Sequence, residues 1–103
     1  MTARFSAAAL RDLRAAAAWI RRDSPRAAAG LREAVQHAAI NIGDYPGIGV
    51  ERPDWTSLPF RFLAVTGYPY VVAYDASVSP PVIARIVHTS RDLPAALEAG
   101  SNP

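Results

Sequence analysis

Apolar residues recur at two different spacings along this chain, and the change of spacing divides it in half. In the first half Leu10, Leu13, Ala17 and Ile20 fall at helical intervals, while Arg11, Asp12, Arg14, Arg21 and Arg22 fill the other faces. The alanine run at 15–18 adds helix propensity. Ser6 stands where an N-cap is wanted. Arg21 and Arg22 close the pattern, where the helix dipole favours cations. Asp23-Ser24-Pro25 then interrupts it, with Ser24 suited to cap a second helix and Pro25 to its first turn. Leu31, Val35, Ala38 and Ile42 form one stripe over three turns, and Gly43 predicts the stop. A break this short folds the two helices into an antiparallel hairpin.

Residues 44–59 follow neither period. Asp44-Tyr45-Pro46-Gly47, Gly49, Pro53 and Pro59 predict an irregular connector. From Phe60 the pattern is strand-like. Phe60 to Thr66, Pro69 to Asp75 and Val82 to His88 are rich in β-branched and aromatic residues, with turns at 66–68 and 76–81. Three strands so closely connected predict an antiparallel meander. Residues 2–5 predict a brief first strand. The end of the chain predicts a short helix near 94–99 and a frayed tail over about 99–103.

The order strand, helix, helix, strand, strand, strand predicts an α+β domain spanning residues 1–103. A helical hairpin packs on one face of a small, mainly antiparallel sheet. The strands are apolar on both faces. Tyr70, Val72 and Tyr74 alternate with Val71 and Ala73, and strict alternation sets Ile83 and Val87 opposite Val82 and Ile86. The hairpin covers one face only. The tail is short, so the second face is expected to be covered by a partner chain, and the isolated chain to self-associate.

Composition narrows the class. With 103 residues the chain has room for one core. It contains no cysteine, hence no disulfide framework, thiolate zinc site or cysteine nucleophile. No apolar run approaches the ~20 residues that span a bilayer, and the first residues do not resemble a secretory signal. A cytoplasmic protein with no membrane association is expected. All eleven basic residues are arginine, and there are 21 alanines, the signature of a GC-rich genome. A net charge of +2 gives no broad field for nucleic acid, so no direct nucleic-acid contact is expected.

Three segments together resemble the ParE/RelE superfamily of type II toxins, over about residues 3–98. One is the hairpin break Asp23-Ser24-Pro25-Arg26-Ala27-Ala28. The second is Phe62-Leu63-Ala64-Val65-Thr66-Gly67-Tyr68-Pro69-Tyr70-Val71-Val72-Ala73-Tyr74, similar to the ParE-like second hairpin. The third, and most specific, is Ala84-Arg85-Ile86-Val87-His88-Thr89-Ser90-Arg91-Asp92-Leu93-Pro94-Ala95-Ala96-Leu97. The resemblance implies a growth-inhibiting toxin without cofactor or metal, neutralised in a hetero-oligomer by a ParD-like or other small antitoxin. ParE-like members typically inhibit DNA gyrase. RelE-like members are ribosome-dependent mRNA endonucleases.

Cleavage of RNA at a 2′-hydroxyl needs a base, an acid and cations for the phosphorane charge. RelE-like members draw these from Arg, Lys and Tyr. Here Arg61, His88 and Arg91 are the candidates if the chain is a nuclease. The tail tyrosine of that pattern falls near Pro94 or Ala95, and lysine is absent. These departures favour the ParE-like branch. His88 is otherwise a sheet-edge histidine bonded to nearby backbone, and a Ser90–His88–Asp92 triad is not expected.

For antitoxin binding the candidates are Leu13, Trp19, Arg61, Tyr70, Tyr74, Arg85 and Arg91, with apolar anchors and arginines pairing acidic side chains. Arg85 is either paired with Asp75 across the hairpin or free to grip a carboxylate of the antitoxin. Arg91-Asp92 also suits a local salt-bridged turn. His37, with only Glu33 one turn away, lacks the ligands for a metal. Trp19 and Trp55 read as core or interface anchors. Arg11, Arg14, Arg21 and Arg22 form a basic stripe, whose plainer reading is a solvated helix face.

Overall fold

A computed structural model of the chain describes residues 1–101. The elements are β1 (Arg4–Phe5), α1 (Ala7–Arg21), α2 (Pro25–Asp44), β2 (Val50–Glu51), β3 (Phe60–Ala64), β4 (Tyr70–Asp75), β5 (Val82–His88) and α3 (Leu93–Ser101). The sheet order is β1-β5-β4-β3-β2. β1 runs parallel to β5, and every other pairing is antiparallel. This is the expected α+β architecture, with one small strand, β2, inside the connector expected to be irregular. The expected frayed tail over 99–103 lies partly outside the described residues; α3 extends to Ser101.

Local signals account for the helices. The Ser6 hydroxyl accepts the Ala9 N–H at 3.0 Å, and the Ser24 hydroxyl accepts that of Ala27 at 3.1 Å. Each cap satisfies one of the N–H groups that a helix start leaves without an intrahelical partner. Helix α2 runs past Gly43 to Asp44. The glycine serves a different purpose there: a Cβ would collide with the backbone of Met1 and Thr2, which cross the helix at that point.

The helical hairpin packs on one sheet face. Leu13, Leu31, Val35 and Ile42 meet Val72, Tyr74, Ile83 and Ile86 in one buried cluster. Ile83 and Ile86 therefore share a face, contrary to strict alternation. The reason is a bulge. Ala73 pairs with Arg85 and Tyr74 pairs with Ile83, which leaves Ala84 as an extra residue that shifts the phase.

The second face is not left for a partner. Phe62, Val71, Ala73 and Val87 are buried there beneath Leu93, Ala96 and Leu97 of α3, with Trp55 and Phe60 at the margin. The expectation of an open face fails because the strip to be covered is narrow. Positions 93, 96 and 97 lie on one side of a helix, so two turns suffice. The Trp55 ring meets Phe62 edge-on at 5.0 Å between centroids, and the Arg52 guanidinium lies 3.7 Å from the Trp55 ring centre. The apolar second face thus gives no reason for self-association.

Candidate functional site: a groove between the first helix and the end of the sheet

Strand β5 is flanked by β1 only at Val82 and Ile83. Beyond that its outer edge is occupied by side chains of the first helix segment. The Ser6 hydroxyl donates to the Ala84 carbonyl at 2.9 Å, and Asp12 Oδ2 accepts the Ile86 N–H at 2.9 Å. Polar groups that would otherwise invite another strand are thereby satisfied. Asp12 also receives Arg85, from Nε at 2.7 Å and from Nη2 at 3.1 Å. Arg85 Nη1 donates to the Ala96 carbonyl at 3.1 Å. The carboxylate raises the Arg85 pKa further above its ordinary value. One guanidinium thus joins α1, β5 and α3. The pairing of Arg85 with Asp75 does not form: Arg85 lies opposite Ala73, while Asp75 lies opposite Val82 and bonds Ser77.

Beside Asp12, α1 and the end of the sheet leave between them a groove of about 350 Å³. Trp19, Tyr70, His88 and Arg91 line it above Ala15, Ala16 and Ile86. Trp19 is 66% exposed, an unusual amount for so large an apolar ring. Arg22 stacks on it at 5.0 Å. The His88 ring stands edge-on to Tyr70 with centroids 5.0 Å apart. His88 Nδ1 accepts the Ser90 N–H at 3.0 Å, so the neutral ring carries its proton on Nε2. Burial pushes the Tyr70 phenol pKa up.

Four of the residues singled out in the sequence, Trp19, Tyr70, His88 and Arg91, therefore meet in this groove. The others do not. Leu13 is buried in the core under α1 and does not line the groove. Arg85 is occupied by Asp12 and Ala96. Tyr74 has no exposed surface; its hydroxyl donates to the Pro46 carbonyl at 2.6 Å and accepts the Gly49 N–H at 2.8 Å. Gly49 lies so close that a Cβ there would stand 2.7 Å from the tyrosine ring. Arg61 donates to the Gly49 carbonyl at 2.8 Å. Arg61 and Tyr74 thus fasten the connector at the far end of β4. Asp12, which sequence reasoning passed over, forms one wall of the groove. Its only signal was a carboxylate on the helix face that later turns to the sheet.

The same geometry bears on RNA cleavage. Arg61 pairs with Tyr74 and His88 with Tyr70, four residues apart on β4, or about 13 Å along the strand. The three nuclease candidates therefore do not converge. Ser90 Oγ does reach His88 Nδ1 at 2.7 Å, but within a local turn. Asp92 faces the start of α3 and accepts the Ala95 N–H at 3.3 Å. Among the described residues no three His, Asp or Glu side chains gather in a way that would hold a metal. No helix there is long and apolar enough to cross a membrane.

The family model described as the ParE toxin of the type II toxin-antitoxin system parDE matches residues 3–93. The chain belongs to this family. The match runs from β1 to the first residue of α3 and includes every residue that lines the groove. As a ParE-family toxin, the chain is one half of a two-component system whose other half is an antitoxin. No curated protein matches the sequence.

Proposed function

We propose that a cognate antitoxin neutralises this toxin by seating an apolar residue against Trp19 and an acidic residue against Arg91. The antitoxin segment lies along the groove between α1 and the end of the sheet. In the cytoplasm the freed toxin acts by inhibiting DNA gyrase. The observation that carries the docking reading is the exposure of Trp19 in a groove with Tyr70, His88 and Arg91. Tryptophan, tyrosine and arginine are the residues on which interface energy concentrates, and an apolar floor rimmed by charge is the usual anatomy of such a surface. The antitoxin enters beside a strand edge already capped by Ser6 and Asp12, so side chains carry the contact more than backbone pairing does.

Titration of the purified toxin with its antitoxin tests the docking site. Trp19→Ala or Arg91→Ala is expected to weaken the complex at least tenfold, about 1.4 kcal/mol or more. Arg61→Ala should leave the affinity unchanged. Equal losses from all three would reject the groove. A DNA supercoiling assay tests the target separately. Inhibition by free toxin, reversed by antitoxin, supports gyrase; no effect at concentrations that stop growth rejects it.

A further inference from the structure

The net charge of +2 conceals a segregation. Between residues 11 and 32 the chain carries six arginines and two carboxylates, and one of these, Asp12, is bound to Arg85. The other, Asp23, lies in the turn between the helices. On the hairpin, Arg14, Arg21 and Arg32 surround a shallow groove of about 280 Å³ floored by Ala17, Ala18 and Ala28. All three arginines are exposed, and none forms a salt bridge among the described residues. Arg11 and Arg26, both exposed, extend the patch along α1 and around the turn.

We propose that this arginine-lined groove binds the phosphate backbone of duplex nucleic acid, independently of the antitoxin groove. The choice of occupant follows from what lines it. A protein partner draws its affinity from aromatic and large apolar anchors, and a single strand needs rings on which to stack its bases. The floor here is alanine and offers neither. It lets a wide, regular polyanion approach closely while the arginine forks take phosphate oxygens. Arg14 and Arg21 are two helical turns apart, about 10.5 Å, close to three base-pair rises of about 3.4 Å. Contacts of this kind carry no sequence information, so binding is weak and non-specific.

Binding of the full-length toxin to a fluorescent 30-base-pair DNA duplex, measured from low to physiological salt, tests this. Three phosphate contacts predict a slope of log K against log salt near −2.7, with dissociation constants in the range of about 10⁻⁴ to 10⁻⁶ M at physiological salt. The combined variant Arg14→Gln, Arg21→Gln, Arg32→Gln is expected to lose more than tenfold in affinity at low salt and most of the slope, with an unchanged circular dichroism spectrum and melting temperature. Arg52→Gln, which removes a paired arginine away from the hairpin, should bind as the parent does. Equal affinity for duplex RNA supports recognition of the backbone alone. Absence of DNA binding by the folded parent, an unaffected triple variant, or tight binding of polyglutamate in place of DNA would overturn the proposal.

Discussion

Strand β4 holds two tyrosines on one face, four residues apart, and they do opposite things. Tyr74 is fully buried, and its hydroxyl spends both a donor and an acceptor on the connector at Pro46 and Gly49. Tyr70 is nearly as buried in its ring, but it lines an open groove and forms no side-chain hydrogen bond among those described. What separates them is what crosses the strand's two ends. At the Tyr74 end the chain doubles back over the sheet and is pinned there by Arg61 as well. At the Tyr70 end a groove lies between α1 and the sheet, beside a strand terminus and a turn. On the proposed docking reading, placement along the strand, more than residue type, divides structure from recognition.

Asp12 provides the hardest test of that division, because it lines the open groove yet holds together three elements. Asp12→Ala leaves a mostly buried guanidinium and the Ile86 N–H without their partner. A loss of roughly 3 kcal/mol or more is expected in urea denaturation. If the variant instead melts like the parent and loses only antitoxin affinity, the groove wall belongs to recognition and the division is drawn in the wrong place.

The second sheet face is also on the structural side of this division. Leu97 is 2% exposed against Val71 and Val87, so Leu97→Ala should cost about 2–4 kcal/mol. Antitoxin affinity of the folded fraction should not change. A near-neutral substitution would return that face to a role in partner binding.

The tyrosines themselves come next. Tyr74→Phe leaves the Gly49 N–H and the Pro46 carbonyl without their partner, at an expected cost of about 2–3 kcal/mol. Tyr70→Phe should fall within about 0.5 kcal/mol of the parent. Thermal melting of the two variants side by side compares the two ends directly, and equal costs would erase the contrast.

Sequence periodicity made one half of this contrast legible. Helix limits and caps depend on neighbours three or four residues away, so Ser6, Ser24 and Pro25 announced them. The facing of Tyr70, Val72 and Tyr74 followed from the pleat. Three features did not follow. Ala84 bears no mark of the bulge that moves Ile86 to the helix side, because the extra residue is defined by its partner strand. The Asp12–Arg85 pair joins positions 73 apart, so local pattern offers Asp75 as the partner in its place. The covering power of α3 lies in the spacing of Leu93, Ala96 and Leu97, which the shortness of the tail conceals. Within the site, Trp19, His88 and Arg91 were legible as chemistry. Their meeting depends on how α1 packs against the sheet, which no spacing encodes.

The smallest effect concerns the turn that leaves the Tyr74 end. Asp75 Oδ1 accepts the Ser77 N–H at 2.8 Å and the Ser77 hydroxyl at 2.6 Å, and these bonds hold its pKa below the usual carboxylate range. A group whose folded pKa is depressed stabilises the fold fully above its unfolded value, near 3.9, and loses that contribution as pH falls through the folded value. The turn at 75–77 should therefore hold unchanged at neutral pH and loosen only in acid below about pH 4. Because Asp75 is only partly buried, the gain is modest and salt-sensitive. Carboxyl titration by NMR should give a low pKa for Asp75, and Ser77→Ala should raise it part of the way back, since the backbone N–H remains. An unshifted Asp75 in the parent would mean that the locked end of β4 stops at Tyr74, and that the turn beyond it is held by the strand pairing alone.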